Sequence, residues 1–461
     1  MKRWIMLLSA TLICASFIAF AADSYTLADL EQSMFKNNNE LRKMELELQR
    51  STLDVKDAKW QRWPTVKVQA SASYIDNTLS NAVVLDPDAL LALYDWPSGT
   101  SPTASGGYLT IYEGLEPIQY QFTAELTQPI FTWGKINNAI KLAQAVSDAK
   151  SLQLVDQRKR LSTQLAMYVD AVIRLEAIKT LLEEQLYVAD RLVRLTEEAF
   201  MSGLVLKLDV QKAIVQRSQL DVALANTTYE LKKALLSLQT MTGISDLQTK
   251  HITHTIDVKK FEKLAEKDEQ DILGHALFIE QPSVAALRQL EQAAALNADV
   301  SKASLSWKPD FALVANIGYG GSRFPFIETD WYRQNDYSLT ISIGLQSMVW
   351  DGGSSLRALR RAISTQESAD TESKAALDTI RQTVAEKFAA LKLALATAEW
   401  QTAQIDMLNE ALKIKQTVFV AGYGEESEVL AAQMEVLAAS IAYEQAMMDA
   451  SISYHTIMTF F

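Results

Sequence analysis

Few residues in this chain can turn a backbone or cross-link it: 461 residues include 16 Gly, 9 Pro and one Cys. So little Gly and Pro excludes a fold of many short elements joined by tight turns, and predicts long helices. The lone cysteine, Cys14, excludes a disulfide framework and a thiolate metal site. Of the four histidines only His251 and His254 are close in sequence, too few for a metal centre, and no metal or cofactor is expected. Positive charge is short as well, with 44 Lys and Arg against 56 Asp and Glu for a formal charge of −12. That balance argues against nucleic acid as a partner and against a polybasic grip on a membrane surface. No Gly-rich phosphate loop followed by Lys and Ser or Thr is found, nor a Ser-His-Asp order. The chain is therefore read as no enzyme, with no means of its own to couple an energy source.

At the N-terminus Met1-Lys2-Arg3 precedes an apolar run over 4–20, and Ala19-Phe20-Ala21 stands before Ala22-Asp23. This fits a secretory signal, 1–21, cleaved after Ala21; the run is short for a membrane span. Cys14 follows Ile13, where a lipoprotein signal needs a small residue, so lipidation is not expected. Cleavage removes Lys2 and Arg3 and takes the charge from −12 to −14. With no second helical span visible, an exported chain of this kind is periplasmic, secreted, or inserted in an outer membrane as strands.

Four segments alternate in polarity with period two. Val66, Val68, Ala70, Ala72 and Tyr74 oppose Lys67, Gln69, Ser71 and Ser73, while Ile118, Tyr120, Phe122, Ala124 and Leu126 oppose Gln119, Gln121, Thr123, Glu125 and Thr127. Phe311, Leu313, Ala315, Ile317 and Tyr319 share a face, and Tyr337, Leu339, Ile341, Ile343 and Leu345 oppose Ser338, Thr340, Ser342, Gly344 and Gln346. Strands are expected at about 64–75, 118–128, 309–319 and 336–346, close to the length of a tilted bilayer-crossing strand. A soluble sheet packed on one face gives the same dyad, so alternation alone does not separate barrel from sandwich. Export and aromatic residues near the strand ends favour the barrel. Four strands cannot close one, since membrane barrels begin at about eight, so several chains must share it. Between the first two strands the connection 79–117 is rich in Gly, Ser and Pro, carries an expected short helix at 88–94, and is read as an outer surface loop.

Two stretches match at a constant offset of 219 residues: Phe200-Met201-Ser202-Gly203 with Asp209-Val210, and Phe419-Val420-Ala421-Gly422 with Glu428-Val429. The same offset links Gly134 to Gly353, which marks an internal duplication. The repeats are placed at 22–244 and 281–461, with 245–280 as a linker whose polar stretch packs as a belt around the middle. From Gly134 to Phe200 is 67 residues, about 100 Å of helix. Leu165, Tyr168, Val172, Leu175, Ile178, Leu182, Leu186, Ala189 and Val193 follow the coiled-coil period, so this helix packs lengthwise against neighbours. Shorter helices return from the turns at about 207–241 and from 428 onward, and helices at about 27–62 and 283–307 lead into the hairpins.

In this order and spacing, Asn37-Asn38-Asn39-Glu40-Leu41, Trp63-Pro64, Gln128-Pro129-Ile130-Phe131, the turn from Phe200 to Val205 with Asp209-Val210-Gln211, and Ala421-Gly422-Tyr423 with Glu428-Val429-Leu430 resemble the TolC-like outer-membrane efflux proteins. The resemblance covers essentially the whole mature chain. It implies a mainly α protein with a β-barrel part: a homotrimer whose twelve strands form one barrel in outer-membrane lipid, above a long helical periplasmic tunnel. It also implies a passive exit duct for efflux or type I secretion that docks to a periplasmic adaptor and an inner-membrane transporter. By the same resemblance Asp209 and Glu428 line a periplasmic gate, Glu425 and Glu426 add negative charge beside it, and Ser202, Gly203, Leu204, Ala421, Gly422 and Tyr423 receive the adaptor. Two positions depart from the family pattern: Ala431 stands where a second acid is common, and Gly424 where an arginine often ties the closed state. The competing reading is an exported trimeric coiled-coil scaffold or adhesin without a pore.

Overall fold

A computed structural model describes residues 24–75, 83–86, 89, 109–112, 117–278, 280–325, 327 and 336–461. The expected signal 1–21 lies outside them, as does all but residue 89 of the short helix expected at 88–94. In chain order the elements are α1 (Leu27–Asn37), α2 (Asn39–Trp60), β1 (Thr65–Tyr74), β2 (Val83–Leu85), β3 (Leu109–Tyr112), β4 (Ile118–Phe131), α3 (Lys135–Met201) and α4 (Lys207–Thr242). After a 3-10 turn at Thr249–His251 come α5 (Val258–Ala265), α6 (Glu269–Ala276), α7 (Pro282–Ala303), β5 (Asp310–Gly321), β6 (Tyr337–Gln346), α8 (Ser354–Val420) and α9 (Glu426–Met458). The duplication keeps its length where it matters most. Helices α3 and α8 are both 67 residues long, and α3, α8 and the starts of α4 and α9 keep the offset of 219 (135 to 354, 201 to 420, 207 to 426).

One expected helix is two. Asn38 leaves helical geometry (ψ 116°), and its side-chain oxygen accepts the amides of Glu40 at 2.9 Å and Leu41 at 3.1 Å, so it caps α2 and breaks the run expected over 27–62. Its neighbour Asn37 donates to the Thr242 carbonyl at 2.9 Å and satisfies an end group of α4. The helix expected to reach residue 307 stops at Ala303.

The chain forms two compact units, and each draws on both repeats. One takes in residues up to Ser51 with Ala145–Glu291 and Ser368–Phe461; the other is Thr52–Gln144 with Gln292–Glu367. In the second unit a four-stranded antiparallel sheet has the order β1-β4-β5-β6, while β2 and β3 pair separately. Cross-strand register keeps the apolar residues together. Rows run Val66–Leu126–Ala315–Ile341 and Val68–Ala124–Ile317–Leu339, interleaved with Lys67–Glu125–Asn316–Thr340 and Gln69–Thr123–Gly318–Ser338. A slip of one residue at any pair would mix the two faces.

In the first unit α3 and α9 lie antiparallel. Arg174 pairs with Glu444 at 2.6 Å, Gln185 donates to the Met434 carbonyl at 3.1 Å, and Arg191 pairs with Glu426 at 2.9 Å. As one number rises the other falls by nearly the same amount, so a single register holds along the pair. The coiled-coil stripe is the buried side of α3: Leu165, Val172, Leu175, Ile178, Leu182 and Ala189 are buried, whereas Tyr168, Leu186 and Val193 are half-buried and Val169 takes the core place beside Tyr168. In the linker, Phe261, Leu264, Ile272 and Ala276 pack with Phe388 and Leu391 of α8 and with Met447, Ala450 and Ile457 of α9.

The linker also reaches a buried carboxylate of α3. Asp170, 2% exposed, accepts from Ser451 Oγ at 2.7 Å, and the same oxygen lies 2.9 Å from His455 Nε2. Its other oxygen lies 3.3 Å from His254 Nε2 without an aligned hydrogen bond. His254 thus faces a carboxylate 84 residues earlier rather than its sequence neighbour His251. Removing Asp170 would leave buried donors unpaired, a loss of about 1–3 kcal/mol. Asp170→Leu is therefore expected to lower the thermal midpoint and to accelerate amide exchange over 252–257; unchanged exchange there would show that packing alone holds the segment.

Candidate functional site

Two regions combine the sequence signals with exposure. The first is the sheet. Val66, Val68, Leu339, Ile341, Ile343 and Leu345 are all exposed, so among the described residues no layer covers the apolar face as a soluble sandwich would require. Aromatic side chains gather at both ends of this face. At the helix end Phe131 packs against Trp133 and Phe311 at 5.2 and 6.2 Å between ring centroids, and Trp133 lies 6.4 Å from Trp307. At the other end Phe324 meets Tyr120 at 5.2 Å and Phe122 at 5.8 Å, and Tyr319 meets Tyr337 at 5.3 Å. Phe311 and Tyr319, one from each cluster, are eight residues apart on β5, about 26 Å along a strand and close to the apolar band of an outer-membrane barrel. No described helix is long and apolar enough to cross a membrane.

The second region is the pair of turns joining α3 to α4 and α8 to α9. In both, the helix ends in a Schellman motif. Leu204 N–H donates to Ala199 O and Gly203 N–H to Phe200 O, both at 2.9 Å; Tyr423 donates to Val418 O at 3.0 Å and Gly422 to Phe419 O at 2.9 Å. The geometry demands a left-handed residue, and Gly203 (φ 75°) and Gly422 (φ 80°) supply it. Around these glycines Met201, Leu204, Leu206, Val420 and Tyr423 are exposed, up to 88% for Tyr423, with Ser202 and Ala421 exposed beside them. At Gly424 a Cβ would sit 3.2 Å from the Phe419 amide nitrogen, a tight contact that a side chain there would have to relieve by a small shift.

The four candidate gate acids differ in their partners. Asp209 accepts the Leu206 amide at 3.2 Å and lies 3.4 Å from Lys212 Nζ, so its carboxylate is turned back onto the first turn of α4. Glu426 is engaged by Arg191 through two hydrogen bonds, 2.9 and 3.1 Å. This bond holds the Glu426 carboxyl below its ordinary range, against the opposing effect of desolvation, and holds the arginine more firmly protonated. Glu425 accepts from Ser427 Oγ at 3.0 Å. Glu428 is exposed, and its carboxylate has no partner among the described residues. Beside Arg191, Asp190 pairs with Arg217 of α4 at 2.9 Å, and Arg217 also bonds Asp221. Successive residues of α3 thus reach α4 and α9. Sequence reasoning missed Arg191 because a partner 235 residues away leaves no local pattern, and missed the Arg217–Asp190 tie because it crosses from one helix to the next over 27 residues.

A family model described as outer membrane efflux protein matches residues 30–244 and 273–460. The chain belongs to this family, whose members are passive channels that span the outer membrane and extend into the periplasm. The unmatched stretch includes His254 and α5. Among solved structures, the chain is similar to the outer membrane protein VceC from Vibrio cholerae at 18% identity, covering 94% of this chain and 95% of that one with a TM-score of 0.71. It is also similar to the Campylobacter jejuni CmeC outer membrane channel at 14% identity, 94% and 85% coverage and a TM-score of 0.73. The open state of the Neisseria gonorrhoeae MtrE outer membrane channel matches at 14% identity, 94% and 88% coverage and a TM-score of 0.65. At these identities the likenesses establish the fold. No curated protein matches in sequence.

Two outcomes follow. Ile341→Arg, mid-strand on the apolar face, should lower the free energy of folding into vesicles by about 2–4 kcal/mol, whereas Ser342→Arg on the polar face should be tolerated; equal effects would refute the assignment of faces. Glu426 titrates below its unfolded value, so its contribution is complete above the ordinary glutamate pKa of about 4.3 and is lost as pH falls through the lower folded value. Amide exchange in the first turn of α9 should thus stay slow at pH 5 and quicken only in stronger acid, while Arg191→Gln makes it fast at neutral pH.

Proposed function

We propose that three copies of this chain close into one twelve-stranded barrel and form the outer-membrane exit duct of a tripartite efflux or type I secretion system. The observation that carries this reading is the open sheet. Among the described residues β1 and β6 are long edge strands without partners on their outer sides, and inside a bilayer every backbone group must be paired. Three sheets of four strands, joined β6 to β1, remove every edge at a size known for membrane barrels. Exposed apolar side chains on the tipward half of α8 (Met407, Ile414, Val418) and on α4 (Val215, Val222, Tyr229) give neighbouring copies surfaces to cover.

In the trimer Glu428 forms a ring of three carboxylates at the periplasmic mouth, which attracts cations and opposes anions. Asp209 contributes a weaker ring because Lys212 and the helix start share its charge. The Arg191–Glu426 and Arg217–Asp190 links hold the tip helices together in the resting state, the task that an arginine at position 424 would otherwise serve. The exposed apolar turns around Gly203 and Gly422 receive a periplasmic adaptor, which joins the duct to an inner-membrane transporter that supplies the energy.

Planar-bilayer recording tests this. The purified trimer is expected to conduct with cation preference, and Glu428→Gln to reduce that preference more than Asp209→Asn. Silence of the trimer, even with both acids neutralised, would leave a scaffold or adhesin as the reading. Gly203→Arg or Gly422→Arg should abolish export while heat-resistant trimers remain in the membrane; loss of the trimers would assign these glycines a structural role only.

A further inference from the structure

Of all described non-glycine residues, only Trp133 has a positive φ, 53°. For a bulky side chain such a conformation costs free energy and persists only where the surroundings hold it. Here they do. The indole Nε1–H donates to the Pro309 carbonyl at 2.9 Å, Phe131 packs against the ring, and the Lys308 ammonium lies 5.8 Å from its centroid. Lys308 lies equally close, 5.5 Å, to the ring of Trp307, so one ammonium sits between two indoles. It spends one hydrogen bond, 2.8 Å, on the Lys302 carbonyl at the end of α7, and two N–H donors remain.

Asp351, brought near this lysine through Ser355 and Ser306, is turned onto the Gly353 and Ser355 amides. Lys302 and Arg62 lie at the same junction of helices and strands, Arg62 bonding neutral Asn137 at 2.8 Å. Asp310, the acid nearest in sequence, is occupied by Lys135 at 3.0 Å. Among the described residues none of Lys302, Lys308 and Arg62 pairs with a carboxylate. Trp307 is exposed beside Lys308, and Trp60, Trp63 and Trp350 are exposed where the other strands of the sheet meet the helices. Because the chain is strongly acidic overall, such a cationic, indole-rimmed collar is a local feature and not a product of composition.

We propose that this collar is a docking surface for anionic phospholipid of the periplasmic leaflet, with Lys308, fixed between Trp133 and Trp307, as the group that pairs with the head-group phosphate. The inference rests on the outer-membrane placement and adds a lipid preference to it. The indoles lie at the level where apolar chain gives way to head group, and the ammonium reaches the phosphate. The strained backbone at Trp133 aims that ring where a relaxed residue would not.

The test uses the mature protein in vesicles of phosphatidylethanolamine with a minority of phosphatidylglycerol, one lipid or the other carrying bromine to quench tryptophan. Quenching per brominated lipid is expected to be several-fold stronger for phosphatidylglycerol. Lys308→Gln should lower that preference about fivefold, the factor one interfacial lysine contributes at an anionic surface, while Lys308→Arg retains it. A variant quenched by phosphatidylethanolamine to the wild-type extent remains correctly inserted. Equal quenching by both lipids in the wild type, or a preference that survives in Lys308→Gln, overturns the proposal while leaving membrane insertion intact. Absence of quenching by either lipid would overturn the membrane placement as well.

Discussion

A peptide group inside hydrocarbon has no water to bond, and most of this molecule can be understood from that constraint. Each chain offers four antiparallel strands in a register that gathers apolar side chains on one face and polar ones on the other. Such a sheet pairs its interior strands and leaves two rows of backbone groups open at β1 and β6. A lipid environment makes such open rows costly, and the proposed closure by further copies would pair them. The aromatic clusters at the two strand ends mark where that constraint stops, because beyond them the backbone meets water and the chain is free to become helical.

The helical elements answer a different demand. A helix of 67 residues satisfies its own backbone but must cover a long apolar stripe. In the first unit α9 covers it from Ile178 to Ala189, through Ile441, Leu437 and Met434, while α1 and α4 cover Leu165, Val172 and Leu175. Two repeats of matched length put both Schellman turns at the same relative position, so one local motif, used twice, fixes where the helices reverse.

Signals that live within a few residues of sequence were legible. Period-two alternation located the strands, period-3.5 spacing located the buried side of α3, and the repeated glycines located the turns. Where local chemistry was overlooked, a boundary moved: Asn38 carries its own capping oxygen, and the helix expected over 27–62 breaks there. What was not legible depends on partners far away in the chain. Arg191 with Glu426, Arg217 with Asp190, and Asp170 with His254 and His455 have no mark of their own in sequence, because a charged residue on a long helix is most often a solvated one. Of the two neighbouring histidines 251 and 254, the fold brings His254 to the buried carboxylate of Asp170.

The two tip acids show how far duplication can be trusted. Asp209 and Glu428 occupy equivalent positions, yet their surroundings give them different work. A one-carbon shorter side chain at Asp209 reaches back to the Leu206 amide and meets Lys212 one turn on, so its carboxylate is turned onto α4. The second repeat has no lysine to match Lys212. Ala431 and Ala432 stand one turn beyond Glu428, the neighbouring acids Glu425 and Glu426 bond Ser427 and Arg191, and Glu428 keeps its charge facing solvent. Equivalent sequence positions thus yield one capping acid and one free acid. In the proposed trimer this difference would be repeated three times, and the negative field at the tips would come chiefly from the second repeat.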